Sequence, residues 1–531
     1  MRSARSKTPA LSALILPSLL LLSAPGALWP EELGVLEWFV ESASWSGNPF
    51  DVVAQVTFVH ESGAESRTTE MFYVGENRWG FRFTGTRAGT WEFVSSSSDR
   101  DLAGLSGRVR VEASPDPGGG GFVSHSGGKW IRTGTGTAFV PQYVMSVGPQ
   151  GYAADPGLIG QVVETFVVEH GFTGLQVPVW CRWFDIDEPR CDELGGDPSP
   201  DPRTFAVLES VIRAVYEAGG VTHLWAWGDD QRGWTPTFLP GGINGVVDRR
   251  LQRYIAARLG PLPGWTMGYG FDLQEWVTAS QLESWRTYMS ARMGWPHLLG
   301  GRAGGPHSGT DHSPYIDWNE GLDYSSYEHW EPDYDVYRAA MTAIPDQPVF
   351  SEDRFRIRQP PREKDYDMDE TRRGLWHSTM AGGVANIWGN ETGSGEGASE
   401  GLATSAPYPR PEQIKTWATF FDNRFANDLL PCNTLSNAYC LKTPGSDFYV
   451  LYRSATDSID IDLRSMNVER PAIAVDTREA YLEIDLGVLL PVQHTLALPR
   501  SSDWAIAIGE TPFAVVFSDD FESGTTDNWG N

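Results

Sequence analysis

Between residues 137 and 388 eight short apolar runs recur, at 137–143, 174–180, 221–227, 265–271, 297–301, 321–324, 347–351 and 384–388. Runs this short and this apolar fit strands buried on both faces, which belong to parallel sheets. Helical periods fill the intervals. Phe205, Leu208, Ile212 and Val215 share one face of a segment that stops at Gly219-Gly220. Leu251, Tyr254, Ile255 and Leu259 repeat the pattern, as do Leu282, Trp285 and Met289. Eight strand–helix units in this span predict a (β/α)₈ TIM barrel. A doubly wound open sheet is the runner-up. It usually carries a glycine-rich phosphate turn, and the best candidate, Gly134-x-Gly136-x-x-Phe139, has Phe where the third Gly belongs.

The flanks read differently. In 50–58, Val52, Ala54, Val56 and Phe58 alternate onto one face, and further strand-like runs follow at 70–74, 79–83 and 89–94. Strand-like runs return at 448–452, 459–463, 480–486 and 504–508. The expected fold is therefore multi-domain α/β plus all-β, a central barrel flanked by two small β-sandwiches. The expected boundaries are a signal peptide over 1–27, an N-terminal sandwich over 33–114, a Pro/Gly linker over 115–121, the barrel over 122–428, a C-terminal sandwich over 429–512 and a flexible tail over 513–531.

Arg2, Arg5 and Lys7 precede an apolar stretch at 11–22 and the small residues Ala24-Pro-Gly-Ala27, the pattern of an export signal. The apolar stretch is short for a membrane span. A secreted or periplasmic bacterial protein is expected, with no membrane attachment after signal cleavage. The four cysteines fit that compartment as two local pairs, Cys181–Cys191 and Cys432–Cys440. A four-Cys zinc site is disfavoured, because no C-x₂-C pair is present. The formal net charge of -28 argues against nucleic acid as a partner.

The working residues of such a barrel sit at the C-terminal ends of its strands. Those ends carry Trp180; Trp227 with Asp229; Asp272, Gln274 and Glu275; Arg302; Tyr327, Glu328 and Trp330; Glu352 and Arg354; and Trp388. Glu275 and Glu352 fall on strands four and seven. A carboxyl pair in an aromatic cleft is the equipment for cutting a glycosidic bond. Tyr327 is expected to hydrogen-bond Glu352, and Arg354 to keep it ionised. Trp180, Trp227, Trp276, Trp330 and Trp388 are candidate sugar platforms, about half of them expected to serve as barrel plugs instead.

The strand-four and strand-seven carboxylates resemble the large superfamily of retaining glycosidases built on this barrel. The order of the whole chain resembles a bacterial group of glycoside hydrolases with an N-terminal sandwich of unknown function. In that group the barrel is distantly similar to apiosidases and endoglucanases, and the C-terminal sandwich is collagen-binding-like. The resemblance implies Glu275 as acid/base and Glu352 as nucleophile. The superfamily pattern has Asn-Glu on strand four, whereas this chain has Gln274-Glu275, and Asp272 competes for the acid role. The resulting expectation is an exported retaining hydrolase of a poly- or oligosaccharide, with no cofactor.

Two other functions compete with it. One is a carbohydrate-binding, adhesin-like barrel without catalysis. The other is a polysaccharide lyase, which would use Tyr327 and Arg302. His307, Asp311 and His312 lack further ligands at metal spacing, and a polar loop explains them better. The acidic run 365–369 lacks the glycine and the final glutamate of a calcium loop. No metal is expected.

Overall fold

The computed structural model describes residues 32–114, 120–302, 319–329, 331–358, 366–391 and 407–510. Its centre is a ring of eight parallel strands. In chain order they are Gln142–Met145, Gly174–Pro178, Val221–Trp225, Trp265–Gly268, Leu299–Gly300, Ser325–Tyr327, Val349–Arg358 and Ala385–Glu391. Strands one to five pair in succession, as do six to eight, and the eighth pairs with the first. No ladder links strands five and six among the described residues, so the barrel is nearly closed.

Strand side chains alternate between two faces, and two apolar clusters follow. Val221, Trp225, Tyr324, Phe350, Ala385 and Ile387 belong to the cluster that fills the barrel. Leu175, Leu224, Met267, Val349 and Trp388 belong to the layer under the helices. Helix Pro202–Glu217 begins at an Asp201 cap with Pro at its first position, and buries Phe205, Leu208, Ile212 and Val215. Helix Ala279–Met293 starts with a reciprocal Thr278/Gln281 capping box.

Two strands sit away from their apolar runs. The run 321–324 stops just before strand six, which is Ser325-Ser326-Tyr327. Serines buried inside a barrel leave no hydropathy signal. The run 137–143 divides instead. Ala138–Phe139 joins Val123–Ser126 and Lys129–Arg132 in a small antiparallel sheet, and the barrel strand begins at Gln142. That sheet places Trp130 in the barrel-filling cluster, where its indole N–H donates to Val349 O.

The N-terminal strands form a four-stranded and a three-stranded antiparallel sheet around a common core that includes Phe58, Trp79, Phe81, Phe83, Trp91 and Phe93. The residues after the barrel form a six-stranded antiparallel sheet. Charge docks the N-terminal sheets onto the barrel helices. Arg82 is buried and donates to Glu37, to Glu209 Oε2 at 2.8 Å and to the Arg258 carbonyl, while Arg258 pairs with the other oxygen of Glu209.

Removing Glu209 leaves two buried guanidinium groups facing each other, so Glu209→Ala is expected to cost about 3–5 kcal/mol of stability. The midpoint of urea unfolding is the measurement. Burial pushes the Glu209 carboxyl up, but Arg82 and Arg258 outweigh it and hold the group below its ordinary 4.5. This contribution is therefore complete above the ordinary carboxylate range and is lost as pH falls through the lower folded value. The difference between wild type and Glu209→Ala should shrink in acid.

Candidate active site

Glu352 follows Ser351 in strand seven, two residues beyond the barrel-filling Phe350, and alternation turns it inward. It has no exposed surface. The ladder to strand eight skips from Ser351 to Arg354, a bulge at the carboxylate itself, and bulges of this kind re-aim side chains near sites. Glu352 Oε1 accepts a hydrogen bond of 2.5 Å from the Tyr324 hydroxyl. Burial first, and the neighbouring carboxylate second, push the Tyr324 phenol well above its ordinary value, so this donor keeps its proton. His223 Nε2 lies 3.5 Å from the same oxygen.

Tyr327 had been expected in this role. The hydroxyl on the carboxylate belongs to Tyr324, because the two tyrosines are three positions apart and so take opposite faces. Tyr327 packs in the layer under the helices. The same parity governs the tryptophans. Trp388 lies one position beyond the inward Ile387, is fully buried against the helices and donates its N–H to Gln142 Oε1. It offers no platform for sugar. Trp227, 2% exposed, also packs in the outer layer. Trp180 does reach the barrel-filling cluster, stacked on Trp234 with ring centroids 4.1 Å apart and planes 7° from parallel. Trp276 is half-buried and stacks on Tyr269. Trp330, the Arg354 side chain and the 305–312 run lie outside the described residues.

Arg302, 4% exposed, organises the other side of the site. One guanidinium nitrogen donates to Asp272 Oδ1 at 2.9 Å and lies 3.5 Å from Glu328 Oε2, while another donates to the backbone carbonyl of Glu352 at 3.3 Å. The guanidinium also lies over the rings of Phe271 and Trp225, at 5.3 and 5.9 Å. Asp272 has a left-handed backbone (φ 52°) at the entry of the turn Leu273–Glu275, and its side chain does not cap that turn. Asp tolerates this conformation better than most residues. Asp272 is thereby tied through Arg302 to the chain at Glu352.

Glu275 sits differently. It is exposed, and its Oε2 accepts from Gln231 Nε2 at 3.2 Å on the rim. Gln274 is exposed beside it. Asp229 caps the turn Asp230–Arg232 and pairs with Arg232. Four residues of the site, Tyr324, His223, Trp225 and Trp234, were not anticipated. Counting inward positions from Val221 would have exposed His223 and Trp225, given the register. Trp234 lies in a loop and left no signal.

Both expected disulfides are formed, Cys181–Cys191 and Cys432–Cys440. The first supports the rim, where the Cys191 amide donates to the Gly233 carbonyl beside Trp234. Among the described residues no cluster of His, Cys, Asp and Glu could hold a metal, and no helix is long and apolar enough to cross a membrane.

A family model described as a domain of unknown function, DUF5060, matches residues 31–98. No curated protein matches the chain. Among solved structures, a "putative glycoside hydrolase" from Bacteroides vulgatus ATCC 8482 aligns with a TM-score of 0.68 at 17% identity, over 90% of this chain and 99% of that one. A glycoside hydrolase family 5 structure from the same organism aligns at 0.54 and 13%, over 75% and 95%. A structure titled simply glycoside hydrolase aligns at 0.54 and 13%, over 74% and 97%. At these identities the likeness is one of fold, extending over the barrel and the flanking sheets.

Proposed function

We propose that this protein is an exported glycoside hydrolase of the retaining type, with Glu352 as nucleophile. The observation that carries the reading is the carboxylate of Glu352. It lies at the strand-seven position of a (β/α)₈ barrel, with one oxygen held by Tyr324 and aromatic side chains around it. Folds that align with the chain belong to glycoside hydrolases, which supports the class by analogy. The disulfides and the basic-then-apolar N-terminus support export. The 33–114 and 429–512 segments are taken as accessory units to the 122–428 barrel.

For the acid/base role the proposal moves from Glu275 to Asp272. Asp272 and Glu328 share one nitrogen of Arg302. Arg302 also holds the Glu352 carbonyl, so the Asp272 carboxyl is fixed relative to Glu352, as a general acid must be relative to the nucleophile. In the first step Asp272 would protonate the leaving oxygen while a Glu352 oxygen attacks the anomeric carbon. In the second Asp272, now the base, would draw a proton from water as that water displaces Glu352.

The test is reducing-sugar release from a panel of plant, algal and bacterial polysaccharides, with proton NMR of the first-formed anomer. Release with retained configuration is expected, and inverted product would sink the double displacement. A carbohydrate-binding barrel without turnover is the second reading, favoured by the complete burial of Glu352. It predicts binding to a panel member, no release, and the same affinity in Glu352→Gln.

A further inference from the structure

We propose that His223 is a positioning residue for Glu352, its Nε2–H directed at Oε1 so that Oε2 is the oxygen that reacts. The catalytic half of this inference rests on the glycosidase reading; the contact itself does not.

His223 is the third residue of barrel strand three and has no exposed surface. Its Nδ1 lies 2.9 Å from Thr266 Oγ1 on strand four, and its Nε2 lies 3.5 Å from Glu352 Oε1. A threonine hydroxyl can donate or accept. With Thr266 donating to Nδ1, the proton of a neutral imidazole is on Nε2, aimed at the carboxylate. The ring is fixed from two sides. Tyr143 stacks on it with centroids 5.5 Å apart, and Phe350 meets it edge-on at 4.8 Å. In a close-packed interior the imidazole cannot turn without displacing one of them.

The two oxygens of Glu352 are treated unequally. Oε1 takes the Tyr324 hydroxyl and faces His223 Nε2 at 3.5 Å, too far for a formed hydrogen bond, whereas nothing among the described residues hydrogen-bonds Oε2. Burying a polar group costs free energy unless it is hydrogen-bonded, so a second donor has a physical purpose. Placing the hydroxyl and the imidazole beside one oxygen has a chemical one, because the other oxygen keeps its lone pairs for attack. Gly268 makes the approach possible. A Cβ there would lie 3.1 Å from His223 Nε2 and 3.2 Å from Glu352 Oε1. With Trp225 Cδ1 also at 3.0 Å, a methyl group there would make these neighbours give way by a few tenths of an ångström.

The experiment is the ¹⁵N spectrum of the full chain labelled in histidine, with His223 assigned by the resonances lost in His223→Gln. A protonated Nε2 is expected, together with an Nδ1 resonance that moves in Thr266→Val and an Nε2 resonance that moves in both Glu352→Gln and Gly268→Ala. A bare Nε2, or resonances indifferent to Thr266→Val and Glu352→Gln, overturns the proposal whether or not the protein cleaves glycans. On the panel polysaccharide with the fastest wild-type release, His223→Gln is expected to lower kcat about 100-fold with KM little changed, the cost of roughly 1 Å of misplacement. Thr266→Val, which keeps the imidazole and the packing volume, should lower kcat in the same sense by less. Unaltered kcat in both variants overturns the catalytic half. If Glu352→Gln itself stays active, the glycosidase reading fails, and the spectrum still decides the contact.

Discussion

Glu352→Gln should reduce polysaccharide hydrolysis by roughly 10⁴-fold or more, the scale on which removing a catalytic nucleophile is felt. The substitution keeps the volume of the side chain, and its amide oxygen can still accept from Tyr324. The fold is therefore expected to survive, which near-wild-type thermal unfolding would verify. The smaller Glu352→Ala leaves a space where the proposed mechanism puts the nucleophile. Added azide should enter it and restore release of the sugar as a glycosyl azide of inverted configuration. Turnover near the wild-type rate in Glu352→Gln would refute the nucleophile, and with it the mechanism.

The second large effect separates Asp272 from Glu275. Asp272→Asn should lower hydrolysis by about 10²–10⁴-fold, the usual worth of a general acid. The loss should be small for aryl glycosides whose leaving group needs no proton. Glu275→Gln should change the rate within about twofold, as expected for a solvated rim group. The reverse order of effects would return the acid to Glu275 and leave Asp272 as a partner of Arg302. Both variants are read with the same polysaccharide and with an aryl glycoside of the same sugar, so stability losses are told apart from lost protonation.

Tyr324 and Tyr327 show how far the candidate site could be read from the chain. Both are tyrosines near strand six, and hydropathy favoured the strand at 321–324. The observed strand is Ser325–Tyr327, where two buried serines supply polar groups instead of an apolar signal. Placing the strand a few residues early made Tyr327 look like the residue at its mouth. Trp388 failed for a related reason. It is aromatic and at a strand end, but one position out of phase with Ile387, and so it packs under the helices. Arg302 was legible as a strand-end cation, and its joint hold on Asp272, Glu328 and the Glu352 carbonyl was not.

The sequence by itself determined the barrel, the β-rich flanks, the two cysteine pairs and the strand that carries Glu352. Each of these is a local property: an apolar period, a turn residue, a short spacing between cysteines. Only the tertiary structure decided which side chains meet inside the barrel. Facing in or out is a matter of parity, and parity is set by register with neighbouring strands and shifted by features such as the bulge after Ser351. Glu352 therefore acquires its surroundings from His223, Gly268, Arg302 and Tyr324, each from a different strand region of the ring. No local pattern in the chain announces that meeting, because closure of the barrel brings the four together.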